Sequence, residues 1–162
     1  GNIGRKVARI ASALGCRVIV NRQRKTDSEF DCVQLDELLR TADIITIHTP
    51  LNDRTRNLIS REKLSLMKTT AILINVARGA ITDEAAVAEF IREGKLGGFG
   101  CDVYSTEPLT NDSPLSSIAG LPNVILTPHL AWGAYEARKR CISETAENIR
   151  SFISGGRRSR IV

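Results

Sequence analysis

Short apolar runs of strand length alternate along this chain with segments of helical period, and that alternation restricts the fold more tightly than any other feature. The runs fall at residues 17–21, 44–48, 71–75, 98–103 and 124–126. Between them, Gly1-Asn2-Ile3-Gly4 opens a helix with Val7, Ile10, Ala11 and Leu14 on one face and Gly15 as its stop. Residues 35–41 read as a short helix. Ser60 is placed to cap another, with Lys63 in its first turn and its end near Met67. Thr82 or Asp83 caps a fourth, whose Ala86, Val87, Phe90 and Ile91 form an apolar stripe before Gly94. A long helix over 134–153 carries Cys141, Ile142, Ala146, Ile149 and Phe152 on one side. Residues 22–31 read as a polar loop, and 108–122 as a turn-rich loop with one short helix. Strands alternating with helices through short connections predict a parallel sheet with helices on both faces.

Composition narrows the class. The 162 residues are 42% apolar and 25% charged, which is enough for one domain with a real core. No apolar run approaches bilayer length and no signal-peptide pattern is present, so a cytoplasmic protein without a membrane role is expected. Net charge is +5, but three of those charges belong to Arg157, Arg158 and Arg160 in the tail. Without a broad basic face or an aromatic-basic module, nucleic-acid binding is not expected. Cys16, Cys32, Cys101 and Cys141 are scattered, with no metal-ligand spacing, and predict buried, reduced thiols and no metal site. The chain begins at Gly1 and its only methionine is Met67, so it reads as a piece of a longer gene product.

Several strand ends carry chemistry. In Ile72-Leu-Ile-Asn-Val-Ala-Arg78-Gly79 an apolar run delivers an arginine at a strand's carboxyl end, where open parallel sheets bind ligands. A guanidinium matches a carboxylate or phosphate with two parallel hydrogen bonds. Asp102 and Glu107 in Asp102-Val-Tyr-Ser-Thr-Glu107-Pro108 follow the next strand, and His129 follows the last. With His48 it is one of only two histidines. The Gly1-x-x-Gly4 pair before a helix matches the last two glycines of a G-x-G-x-x-G dinucleotide turn. The following strand ends in Asn21-Arg22-Gln23-Arg24-Lys25. An NAD site usually has an acid there, whereas cations suit the 2′-phosphate of NADP. Taken singly, each signal has a structural reading: a turn, a solvated basic loop, a salt-bridging arginine, a surface glutamate, a satisfied histidine.

Taken together, Asn75-Val-Ala-Arg78-Gly79, Asp83-Glu84, Asp102-Val-Tyr-Ser-Thr-Glu107-Pro108 and Thr127-Pro128-His129 resemble the D-isomer-specific 2-hydroxyacid dehydrogenases, in order and spacing, along nearly the whole chain. The segment 127–138 is most similar to the glycerate dehydrogenase and hydroxypyruvate or glyoxylate reductase members. The resemblance implies a doubly wound α/β Rossmann nucleotide-binding domain over residues 1–154, with 155–162 as a linker. It implies hydride transfer between NAD(P)H and a small 2-keto or D-2-hydroxy acid. Arg78 matches the arginine that clamps the substrate carboxylate and polarises the keto group. His129 matches the acid/base, and Glu107 the carboxylate paired with it; a carboxylate beside an imidazole favours its charged form. On the cofactor side the resemblance implies Gly1, Asn2, Ile3 and Gly4 at the pyrophosphate, and Arg22, Arg24 and Lys25 at the 2′-phosphate. It further implies Thr49, Pro50 and Thr55 in a lining loop, Val76, Ala77 and Arg78 in another, and Asp102, His129 and Ala131 near the nicotinamide.

Other members of this group are NAD-dependent phosphoglycerate or D-lactate dehydrogenases, and corepressors sharing the fold sense the dinucleotide without turnover. Those remain the alternatives. The resemblance also implies a homodimer formed largely through this domain. The family's first strand, its first fingerprint glycine and its separate substrate domain have no counterpart in this chain. A fragment lacking them is expected to fold poorly and to be inactive alone.

Overall fold

The computed structural model describes residues 1–22 and 29–159. They form two compact units, Gly1–Pro128 and His129–Val162.

In the first unit, helix α1 (Asn2–Ala13) leads to strand β1 (Ile19–Val20), which pairs in parallel with β2 (Asp31–Cys32). Helix α2 (Leu35–Thr41) follows, then β3 (Ile44–Ile47), α3 (Arg61–Leu64), β4 (Ile72–Asn75), α4 (Glu84–Arg92), β5 (Gly98–Cys101) and β6 (Val124–Leu126). Short 3-10 turns occupy Gly79–Ile81 and Pro114–Ile118. Strands β3 to β6 form one sheet in sequence order, parallel throughout.

Strand periodicity explains the core. Ile45, Ile47, Leu73, Phe99 and Cys101 alternate onto one face and join a buried cluster with Leu39 of α2, Leu64 of α3, Val87, Phe90 and Ile91 of α4, and Leu115 and Ile118. Ile44, Ile72 and Ile125 alternate onto the other face and are exposed. The register sets Ile44 beside Ile72 and Ile72 beside Gly98. Local signals act as expected at the caps. The Ser60 hydroxyl accepts from Lys63 N–H, and the Asp83 carboxylate accepts from Ala86 N–H at 3.0 Å. Arg61 grips Glu89 through two 2.6 Å bonds, fastening α3 to α4.

The structure departs from the sequence reading, or adds to it, at several points. The apolar face of α1 is largely open: Val7 and Ala11 are half-buried, Ile10 and Leu14 are exposed, and the helix's buried residue, Ala8, lies outside the predicted stripe. Periodicity shows that a helix has an apolar face, not that the face has a partner. Strand β2 begins at Asp31, the last residue of the segment read as a polar loop, and has no counterpart in the sequence reading because Asp31 and Cys32 are exposed and carry no apolar signal. Of the cysteines only Cys101 is buried; Cys16, Cys32 and Cys141 are exposed, and all four are free.

The second unit is helix α5 (Tyr135–Ile153) with its flanks. None of the helix residues Tyr135–Ile153 is buried, and Ile142, Ile149 and Phe152 of the predicted stripe are exposed. After Gly155, at φ 77°, the chain turns back along the helix, where Arg158 bonds Glu144 and Asn148 at 2.7 Å each. Among the described residues, no helix is long and apolar enough to cross a membrane.

Candidate active site

Because β3 to β6 run parallel, their carboxyl ends share one edge, and four loops leave it side by side. The loop after β4 is held by Asn75, the last strand residue, which is fully buried. Its side-chain oxygen accepts from Ala77 N–H at 3.1 Å and its amide donates to the Arg78 carbonyl at 3.0 Å. A buried amide requires partners for both ends, and these two fix the path of Val76, Ala77 and Arg78. The Arg78 side chain stands exposed at the edge, donating to the Ala77 carbonyl at 2.6 Å.

Gly79 follows because nothing larger fits. A Cβ there would lie 2.0 Å from the Tyr104 carbonyl carbon and 2.3 Å from Ser105 N. The β4 loop therefore presses directly onto the loop after β5. In that loop Tyr104 N–H donates to Glu107 Oε1 at 3.0 Å, and Ser105 N–H donates to Glu84 Oε1 at 2.7 Å. The Tyr104 hydroxyl reaches the loop after β6, donating to the Thr127 carbonyl at 2.9 Å. Burial pushes that phenol up to about 12, so it stays protonated as a donor. The Thr127 hydroxyl donates to buried Asp102 at 2.5 Å, and its N–H donates to the Cys101 carbonyl at 2.9 Å. Within the Gly1–Pro128 unit, the loops bearing Arg78, Asp102 and Glu107 are thus joined to one another and to Thr127.

His129 begins the second unit. It is half-buried with φ 55°, a left-handed conformation uncommon for a residue other than glycine. Such outliers gather where function over-determines the backbone. Ala131, on the same flank, is exposed.

The cofactor-side residues divide. Gly1 is the N-cap of α1 and supplies no capping side chain, so the first-turn amides of Asn2, Ile3 and Gly4 face outward from bare backbone. That arrangement fits a pyrophosphate. A Cβ on Gly4 would sit 3.2 Å from the His48 Cβ, so this glycine also lets α1 start against the end of β3. His48 is structural: its Nε2 lies 2.9 Å from the Thr46 hydroxyl, and burial lowers its pKa. Thr49 and Pro50 leave β3 at the same edge. Thr55 is buried, its hydroxyl donating to the Pro50 carbonyl at 2.7 Å and accepting from Asn52 N–H at 2.8 Å, so it shapes that loop from within. Arg22 is exposed just past β1, beside Asn21, which donates to the Val33 carbonyl at 2.9 Å. Arg24 and Lys25 lie outside the described residues. Among the described residues, no group of three His, Cys, Asp or Glu side chains is placed to hold a metal ion.

Sequence reasoning quoted Asn75, Tyr104, Glu84 and Thr127 as motif letters but gave them no roles. The signal was there for Asn75, an amide closing a buried strand. For Tyr104 nothing in the sequence indicated a bond across 23 residues to Thr127.

Comparison with known proteins identifies the family. Residues 1–131 match the family described as D-isomer specific 2-hydroxyacid dehydrogenase, NAD binding domain. A glycerate dehydrogenase from Methylorubrum extorquens is 39% identical over 155 residues, covering 96% of this chain and 48% of that protein. A glyoxylate reductase from Aeropyrum pernix is 42% identical over 160 residues, covering 96% and 47%. The crystal structure of D-lactate dehydrogenase with NAD+ from Lactobacillus jensenii superposes with a TM-score of 0.92 at 30% identity, covering all of this chain and 53% of that one. The chain spans about half the length of these relatives. It belongs to the D-isomer specific 2-hydroxyacid dehydrogenases, as an NAD-binding domain with the parallel-sheet Rossmann fold.

Proposed function

We propose that the protein carrying this chain is an oxidoreductase that reduces a small 2-keto acid, such as hydroxypyruvate or glyoxylate, to the D-2-hydroxy acid. The observation that carries this reading is the pinned edge: the Asn75 clamp holds the Arg78 loop against the Tyr104–Glu107 loop, which is tied in turn to Thr127. Relatives named glycerate dehydrogenase and glyoxylate reductase support the substrate class.

Bound NAD(P)H supplies the hydride. The Arg78 guanidinium holds the substrate carboxylate with two parallel hydrogen bonds and draws electron density from the adjacent keto oxygen. His129 as imidazolium gives its proton to that oxygen as the carbonyl carbon is reduced, leaving neutral imidazole and the alcohol. Glu107 is the carboxylate paired with His129 in this reading. The α1 amides at Gly1–Gly4 hold the pyrophosphate, and Val76, Ala77, Thr49, Pro50, Asp102 and Ala131 line the rest of the dinucleotide site, with Thr55 shaping its loop. Arg22, with Arg24 and Lys25, suits a 2′-phosphate, which makes NADP the preferred cofactor in this reading. Residues 1–154 act as the dinucleotide domain and 155–162 as a link onward, in a cytoplasmic homodimer without a nucleic-acid or membrane partner.

The test is steady-state oxidation of NADPH and of NADH by the full-length gene product with hydroxypyruvate and glyoxylate. Turnover favouring NADPH is expected. Turnover favouring NADH would keep the enzyme and reassign the Arg22 loop to plain surface. Tight dinucleotide binding without turnover on any 2-keto acid would replace the enzyme with a dinucleotide sensor.

A further inference from the structure

Three loops carry the candidate catalytic groups, and one residue touches all three. The Tyr104 backbone carbonyl is the surface against which Gly79, next to Arg78, is packed. Its N–H donates to the Glu107 carboxylate at 3.0 Å, and its hydroxyl donates to the Thr127 carbonyl at 2.9 Å. The Tyr104 ring is buried, and both bonds are partly shielded from solvent, where a lost partner is felt.

We propose that Tyr104 is a positioning residue for the reaction, and that its phenol hydroxyl fixes the Thr127 peptide relative to the Arg78 and Glu107 loops. This rests on the roles proposed above for Arg78, Glu107 and His129. Thr127 is the far end of the device, because all three of its polar groups are engaged. Its N–H goes to the Cys101 carbonyl, its hydroxyl to Asp102, and its carbonyl accepts from Tyr104. A residue held at three points cannot pivot. Asn75 holds the backbone on the Arg78 side, and of the three bonds to Thr127 the Tyr104 hydroxyl is the one made by the residue that also packs on Gly79 and bonds Glu107. A phenylalanine would keep the ring, the packing against Gly79 and the N–H to Glu107, and would lose only this bond.

The experiment compares wild type, Tyr104→Phe and Thr127→Val in the full-length gene product with saturating dinucleotide and 2-keto acid. Tyr104→Phe should lower kcat by about tenfold, the scale expected for a sub-ångström misplacement of reacting groups, with KM and dinucleotide Kd unchanged within about twofold. The primary isotope effect on kcat with reduced dinucleotide deuterated at the transferred position should rise, because hydride transfer becomes rate-limiting. Thr127→Val should behave likewise, and the double variant should be less than additive because both act through one anchor. A wild-type kcat and isotope effect in Tyr104→Phe would overturn the inference. So would a fall in kcat accompanied by equal losses in dinucleotide binding and Tm, which marks a general structural role. Failure of the wild type to turn over any 2-keto acid would instead overturn the reading of the site itself.

Discussion

Gly79 lies so close to Tyr104 that a Cβ would fall 2.0 Å from its carbonyl carbon and 2.5 Å from its carbonyl oxygen. These are backbone atoms, so no side-chain rotation relieves the overlap. Gly79→Ala must displace either the Arg78 loop or the Tyr104–Glu107 loop. We expect a stability loss of about 3 kcal/mol, at the upper end for an overpacked site, together with a fall in kcat/KM. Thermal denaturation and steady-state kinetics check this, and a variant matching wild type in both would show that the two loops are free to separate.

Asn75 serves the same loop from below. Asn75→Ala removes an acceptor from Ala77 N–H and a donor from the Arg78 carbonyl at a fully buried position. A cost of about 2 kcal/mol is expected, since two hydrogen bonds are lost and buried groups are left behind. Activity should fall further than stability implies, as the Arg78 side chain loses its fixed base. Asn75→Asp keeps the acceptor and loses the donor, so its kinetic defect should be intermediate if both ends of the amide matter. Equal kcat/KM for wild type and both variants would refute the clamp.

The fold was largely legible in the sequence because strand period, turn residues and caps agree along most of it. Ser60 and Asp83 cap the helices they precede, and Gly15 and Gly94 adopt the left-handed backbone that ends a helix. The site was legible as residue types at strand ends. Its mechanics were not, because the bonds of Tyr104 to Thr127 and of Ser105 to Glu84 span more than twenty residues and depend on strand order. Burial of the helices' apolar faces was not legible. Ile10, Leu14, Ile142 and Phe152 have helical spacing yet are exposed, since spacing carries no information about what lies opposite.

His48 gives a pH signature distinct from that of catalysis. Burial lowers its pKa below the usual 6.5, so the neutral form is favoured in the fold. In the unfolded chain the same imidazole takes up a proton more readily. The unfolded state therefore binds more protons as pH falls, and stability declines from near 6.5 downward through the folded pKa. The Thr46 hydroxyl at 2.9 Å faces the ring and offers no countercharge. His48→Gln, which keeps a hydrogen-bonding terminus without titrating, should flatten this part of the Tm–pH curve between pH 7 and pH 5. Parallel curves for wild type and variant would assign the acid sensitivity to other groups.

Cys101 and the exposed cysteines should differ in reactivity. Burial pushes the Cys101 thiol up to about 12, and its Sγ donates to the Val103 carbonyl at 2.8 Å. The thiolate is the reactive form, so this sulfur should resist alkylation until the domain opens. Peptide mapping after brief iodoacetamide treatment of the native full-length protein should leave Cys101 unmodified, and denaturant should make it react. Modification of Cys101 under native conditions would mean that the β5 end opens locally.

Arg22 supplies the sharpest test of cofactor choice. It stands exposed immediately after β1, and Asn21 beside it is anchored to the Val33 carbonyl, so the backbone that presents Arg22 is tied to the segment following β2. A guanidinium there can pair with a 2′-phosphate, whereas a carboxylate would repel it and accept instead from the ribose hydroxyls of NADH. Arg22→Asp should therefore raise KM for NADPH by about tenfold or more, the cost of a lost charge-assisted hydrogen bond, and leave kcat with NADH unchanged or improved. Arg22→Lys should fall between, because an ammonium keeps the charge but not the two-pronged geometry. If Arg22→Asp uses NADPH as well as wild type does, the basic loop plays no part in the choice. Discrimination would then have to come from groups other than Arg22.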